Sequence, residues 1–108
     1  MKIQYKHTNI IARDWKSLAT FYERVLHCVP LPPERNLSGA WLEKGTGVPG
    51  ARFSGIHLLL PGLGEAGPTL EIYQYTENLA KPGPASNREG FCHIAFEVEN
   101  VRAVLEKI

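Results

Sequence analysis

The stretch "GFCHIAFEVENVRAVLEKI", residues 90–108, decides how the rest of the chain is read. It opens as a β-prone run with His93 inside it. It then passes through Asn100, a residue type that caps helices, into Val101, Val104, Leu105 and Ile108 at helical spacing. Shifted back by 86 positions, the pattern recurs without a gap in "HTNIIARDWKSLATFY", residues 7–22. His93 falls on His7 and Asn100 on Asp14, and the second apolar stripe falls on Trp15, Leu18, Ala19 and Tyr22. Few residues are identical. What repeats is a histidine in a strand, a cap and a helix.

Working outward, residues 3–12 read as a strand with Ile3, Tyr5, His7, Asn9 and Ile11 on one face, followed by a helix over 15–27. "PLPP" at 30–33 stops the helix, because proline lacks a donor and restricts its neighbour. Residues 34–52 read as a glycine-rich loop with one helical turn near 40–44. "FSGIHLLL" at 53–60 and "TLEIYQY" at 69–75 are strands joined by "PGLGEAGP", a connector with hairpin character. That connector lacks the lysine and following helix of a phosphate-binding loop. On the last strand, Leu70, Ile72 and Gln74 face one way, and Glu71, Tyr73 and Tyr75 the other. The expectation is an α+β protein: a βαβββ module over 1–76, a linker over 77–90, and the first strand (91–98) and helix of a second module over 91–108, one domain in total.

The 108 residues suffice for one compact domain. A net charge of +1 argues against electrostatic capture of nucleic acid. No apolar run reaches membrane-spanning length, and the N-terminus lacks the apolar core of a secretory signal. Cys28 and Cys92 make no disulfide framework and read as buried thiols. The expected setting is the cytoplasm.

Imidazole and carboxylate groups are ordinary ligands of zinc, nickel, iron and manganese. If the two units pack about a pseudo-twofold axis, His7 and His93 face one cavity, and Glu71 reaches the same point. The symmetry-related fourth position would be 157, outside the chain. Singly, each residue has a plainer reading: a half-exposed strand histidine, or a solvated carboxylate. His57 has no partner in the repeat and reads as structural, while His27 ends a helix, where it can meet the final carbonyls.

At these residues the chain resembles the vicinal oxygen chelate superfamily of glyoxalases, epimerases, extradiol dioxygenases and bleomycin- and fosfomycin-resistance proteins. The resemblance spans the whole chain. It is carried by "HTNIIARDWKSLATFYERVL", "GPTLEIYQY" and "NREGFCHIAFEVENVRAVLEK". It implies paired βαβββ modules around a cleft and a divalent metal (Zn, Ni, Fe, Mn or Co) held by His7, Glu71 and His93. It also implies a fourth ligand from strands that this chain lacks. A carboxylate of the set can serve as a base, which gives Glu71 a catalytic part. The implied activity is that of a lyase or isomerase acting on a small carbonyl compound. The implied assembly is a homodimer, with second-module elements open to exchange between protomers.

Other readings stand beside it. One is a metal-free, drug-sequestering protein with Trp41, Tyr73, Tyr75 and Phe91 lining an apolar pocket. Another is a relative of the extradiol dioxygenases, whose ligand set has no counterpart of Glu71. The last is an inactive truncated member able only to self-associate.

Overall fold

The computed structural model describes residues 1–83 and 85–108. Its contacts divide into two units, Met1–Asn78 and Leu79–Ile108.

The first unit is built on four strands: β1 (His7–Ile11), β2 (Val29–Ser38), β3 (Arg52–Leu59) and β4 (Thr69–Tyr75). They lie in the order β1-β4-β3-β2. β1 runs parallel to β4, and the other two pairings are antiparallel. The helix α1 (Trp15–Leu26) carries the chain from β1 across to the far edge. Asp14 caps it, accepting from the Ser17 N–H, and His27 ends it in the left-handed region at φ 57°. This is the βαβββ order expected from the sequence, and the strand pair 53–60 and 69–75 forms as a hairpin.

Alternation decides what each face of the sheet does. On one face Leu58, Leu70 and Ile72 are fully buried, and α1 packs there through Trp15, Ala19 and Val25. Each fully buried aliphatic of this kind contributes about 1.5–3 kcal/mol. The Gln74 side chain accepts from the Trp15 N–H at 3.0 Å and ties the helix start to β4. The opposite face carries Phe53, Gly55, His57, Glu71 and Tyr73. There the short helix α2 (Ala40–Thr46) places Leu42 in a cluster with Ala51, Phe53 and Tyr73.

Three expectations change in this unit. The segment read as a helix stop and a loop is the edge strand β2, which runs through Pro30, Pro32 and Pro33. Proline is admitted because β2 is hydrogen-bonded on one side only, and the pairing shifts register between Leu31 and Arg35. The helical turn near 40–44 grows into α2, and the first strand is shorter than 3–12, since the ladder begins at His7.

In the second unit, Asn100 caps the helix α3 (Val101–Leu105), its side chain accepting from the Ala103 N–H at 3.0 Å. The strand expected over 91–98 does not form a ladder. Among the described residues the unit contains no second strand to take its backbone groups. Cys28 is buried as expected, whereas Cys92 is exposed, with its thiol donating to the Ser86 carbonyl.

Candidate functional site

The site lies on the sheet face opposite α1 and is set by ladder register. β4 is the central contributor, flanked by β1 and β3. Asn9 pairs with Glu71, and Glu71 in turn pairs with His57, so one row crosses three strands. His7 and Thr69 make the neighbouring row, with Gly55 and Tyr73 on the other side. Paired residues share a face, so these side chains converge.

Glu71 is the centre. It is the buried charged residue of the core, only 9% exposed. A buried carboxylate needs partners, and both of its oxygens have them. Oε1 lies 3.2 Å from His7 Nε2 and accepts from Asn9 Nδ2 at 3.4 Å. Oε2 accepts from the Tyr73 hydroxyl at 3.0 Å and lies 3.0 Å from His57 Nε2. The Tyr73 hydroxyl is itself 2.9 Å from His57 Nε2, which closes a triangle of polar atoms. His57 Nδ1 meets the Thr69 hydroxyl at 3.1 Å.

One set of protons satisfies both contacts to Oε2 and leaves the Tyr73 and His57 donors side by side. Thr69 donates to Nδ1 of a neutral His57. His57 Nε2–H and the Tyr73 O–H both point to Oε2. Burial pushes the imidazole of His57 below its ordinary proton affinity, opposed by Glu71 and helped by Arg35 and by the neighbouring His7. Burial also pushes the Tyr73 phenol up, and its hydrogen bond to Glu71 acts the same way. Both groups are therefore held in their neutral forms near neutral pH. Tyr73 is fixed from behind by Phe53, whose ring stacks on it at 4.4 Å and 17°.

His7 and Glu71, paired in expectation from the sequence, are brought together. His93 is exposed and belongs to the second unit. Of the expected substrate contacts, Tyr73 is in the site, while Tyr75 shares its face and packs edge-on against Phe53. Trp41 stands out from α2, 62% exposed, and Phe91 is 98% exposed in the second unit. His57, read from the sequence as structural, is a full member of the site. The hairpin register would have found it, because His57 lies directly across from Glu71.

The donor set has the chemistry of a divalent-metal site. The 3.2 Å between His7 Nε2 and Glu71 Oε1 matches two ligands of one ion with bonds of about 2.0–2.2 Å. Among the described residues, no group of three or more His, Cys, Asp or Glu forms a metal-holding set. The first unit thus fits two coordination positions, and an ion there needs further ligands.

No family model matches the sequence, and no curated protein does. Among solved structures, the chain is similar to a glyoxalase family protein from Bacillus cereus, with a TM-score of 0.69 and 14% sequence identity. That likeness covers 98% of this chain and 68% of the other. At this identity it shows the fold, which is α+β and glyoxalase-like. Among the described residues, no helix is long and apolar enough to cross a membrane.

Proposed function

We propose that this chain is a metal-dependent lyase or isomerase of the glyoxalase and epimerase type, acting on a small carbonyl compound. The observation that carries the reading is the buried carboxylate of Glu71, with one oxygen committed to Tyr73 and His57 and the other turned to His7. A divalent ion, held by His7 and Glu71 with His93 as a further ligand, would supply charge to stabilise an enediolate.

The chain's own residues do the rest. Tyr73 and His57 hold the carboxylate plane still through Oε2, so Oε1, shared with His7 and Asn9, is the oxygen that would take a proton from carbon once released from those partners. Positioned proton transfer of this kind contributes about 10²–10⁴ in rate. Leu42 and Phe53, packed beside Tyr73, keep water from the flank of the triangle. A homodimer, with 91–108 packing against the partner protomer, belongs to the same proposal. It would cover Val101, Leu105 and Ile108, which are exposed in the single chain.

The aromatic wall of Phe53, Tyr73 and Tyr75 favours a second reading, a metal-free binding protein for a flat ligand. Metal content and native mass of the purified protein separate the two. So does proton–deuterium exchange at carbon in D₂O, followed by NMR across small ketones and aldehydes. The enzyme reading expects metal-dependent exchange that Glu71→Gln abolishes, with metal lost in His7→Ala and His93→Ala. Ligand binding that survives a chelator, with no exchange for any compound, sinks it.

A further inference from the structure

The proposed chemistry leaves one charge on this face without a task. Arg35 is half-buried on β2, paired with Gly55, which pairs in turn with Tyr73. Its side chain therefore leaves the sheet on the same side as His57, Glu71 and Tyr73. No side chain rises from Gly55, and the Tyr73 ring lies over it, reaching towards the Arg35 strand. The charge of Arg35 is felt at both His57 and Tyr73, lowering the proton affinity of each.

The partner of the Arg35 guanidinium is the carbonyl of Pro33, a neutral group two residues back on its own strand. Among the described residues, no carboxylate lies within ion-pair distance of Arg35, because the acid of this face, Glu71, is taken by the two histidines. A half-buried guanidinium with only a neutral partner, on the site's face and beside the Tyr73 ring that covers Gly55, has the character of an anion receptor. Its planar fork matches a carboxylate.

We propose that Arg35 selects a substrate bearing a carboxylate remote from its carbonyl, with the carboxylate on Arg35 and the carbonyl end over Glu71. Two strand spacings of about 4.8 Å separate β2 from β4, a span suited to a short-chain oxo acid. The carbonyl half of this inference rests on the proposed lyase or isomerase reading. The anion half does not.

The test titrates the full ¹⁵N-labelled chain with 4-oxopentanoate and with its uncharged methyl ester. The acid is expected to shift the Gly55 and Tyr73 amides saturably and to bind at least tenfold more tightly than the ester. Arg35→Gln should weaken the acid at least tenfold and leave the ester unchanged, while Arg35→Lys retains part of the preference. Equal binding of acid and ester overturns the proposal, as does an absence of saturable shifts with the acid, or acid binding that Arg35→Gln leaves intact. The comparison in the unaltered protein decides even if a variant misfolds. Deuterium exchange at C3 and C5, followed in the same samples, separates the two ideas. Arg35-dependent binding without exchange sinks the enzyme reading and keeps this one. Exchange of acid and ester alike does the reverse.

Discussion

Gly55→Ala is expected to be the most damaging single methyl that can be added to this sheet. An ideal Cβ at Gly55 would stand 2.0 Å from the Ile72 carbonyl oxygen, 2.5 Å from Tyr73 Cδ1 and 2.8 Å from Tyr73 Cα. Two of these neighbours are backbone atoms of β4, so no rotamer change relieves the contact. Overpacking costs about 1–3 kcal/mol in ordinary cores, and the backbone contacts put this case near about 3. For a domain of this size, each kcal/mol moves Tm by about 4–8 °C, so the expected fall is about 12–24 °C. The control is Gly45→Ala in α2, where a Cβ meets nothing within 4 Å. Removing a helical glycine there should stabilise by about 0.5–1 kcal/mol. Thermal unfolding followed by circular dichroism compares the two directly. The Tyr73 ring rests against Gly55, so Gly55→Ala should also disturb the His57 and Glu71 side-chain resonances in whatever remains folded. A Gly55→Ala protein that melts within 2 °C of the parent would refute the packing argument and the placement of Tyr73 with it.

Tyr73→Phe removes a donor from a buried carboxylate and should cost about 1–3 kcal/mol in denaturant unfolding. In alkaline titration the tyrosine that ionises last should vanish, and its survival in the variant would assign that phenol elsewhere. His57 has a folded-state proton affinity below the ordinary imidazole value of 6.5, so the unfolded chain takes up its proton first as pH falls. Stability should therefore drop as pH falls from about 6.5 towards the folded pKa, and His57→Gln should flatten that part of the stability–pH curve. An unchanged curve would show that His57 is not held neutral. Of the two thiols, exposed Cys92 should react promptly with an aromatic disulfide reagent, and buried Cys28 only on unfolding. Equal rates would contradict the burial of Cys28.

The repeat and the alternation patterns were enough to place β1, α1, the β3–β4 hairpin and the cap at Asn100, because those signals are local and periodic. β2 was hidden by its prolines, since proline opposes a central strand but not an edge, and edge position is a property of the finished sheet. The meeting of His7 and Glu71 was anticipated from the pseudo-twofold repeat and the family resemblance, since local spacing carries no strand order. His57 escaped because a singly placed strand histidine carries no mark of its partner. Its role depends on the register across the hairpin, which spacing alone did not fix. The strand expected at 91–98 had the right composition, but a ladder requires a second strand, and composition cannot supply one.

The prolines of β2 also give the sheet a direction of growth. Pro30, Pro32 and Pro33 offer no N–H, and since successive residues point to alternate edges, a foreign strand laid along that margin finds it short of donors. The opposite margin, "HTNII" in β1, has every donor in place. Backbone pairing with another β element, whether in productive assembly or in a misfolded aggregate, is thereby steered to one side of the molecule. It is the side that carries His7. A strand arriving there would come to rest beside the candidate site, so whatever extends this sheet also acquires a position from which to shape its chemistry.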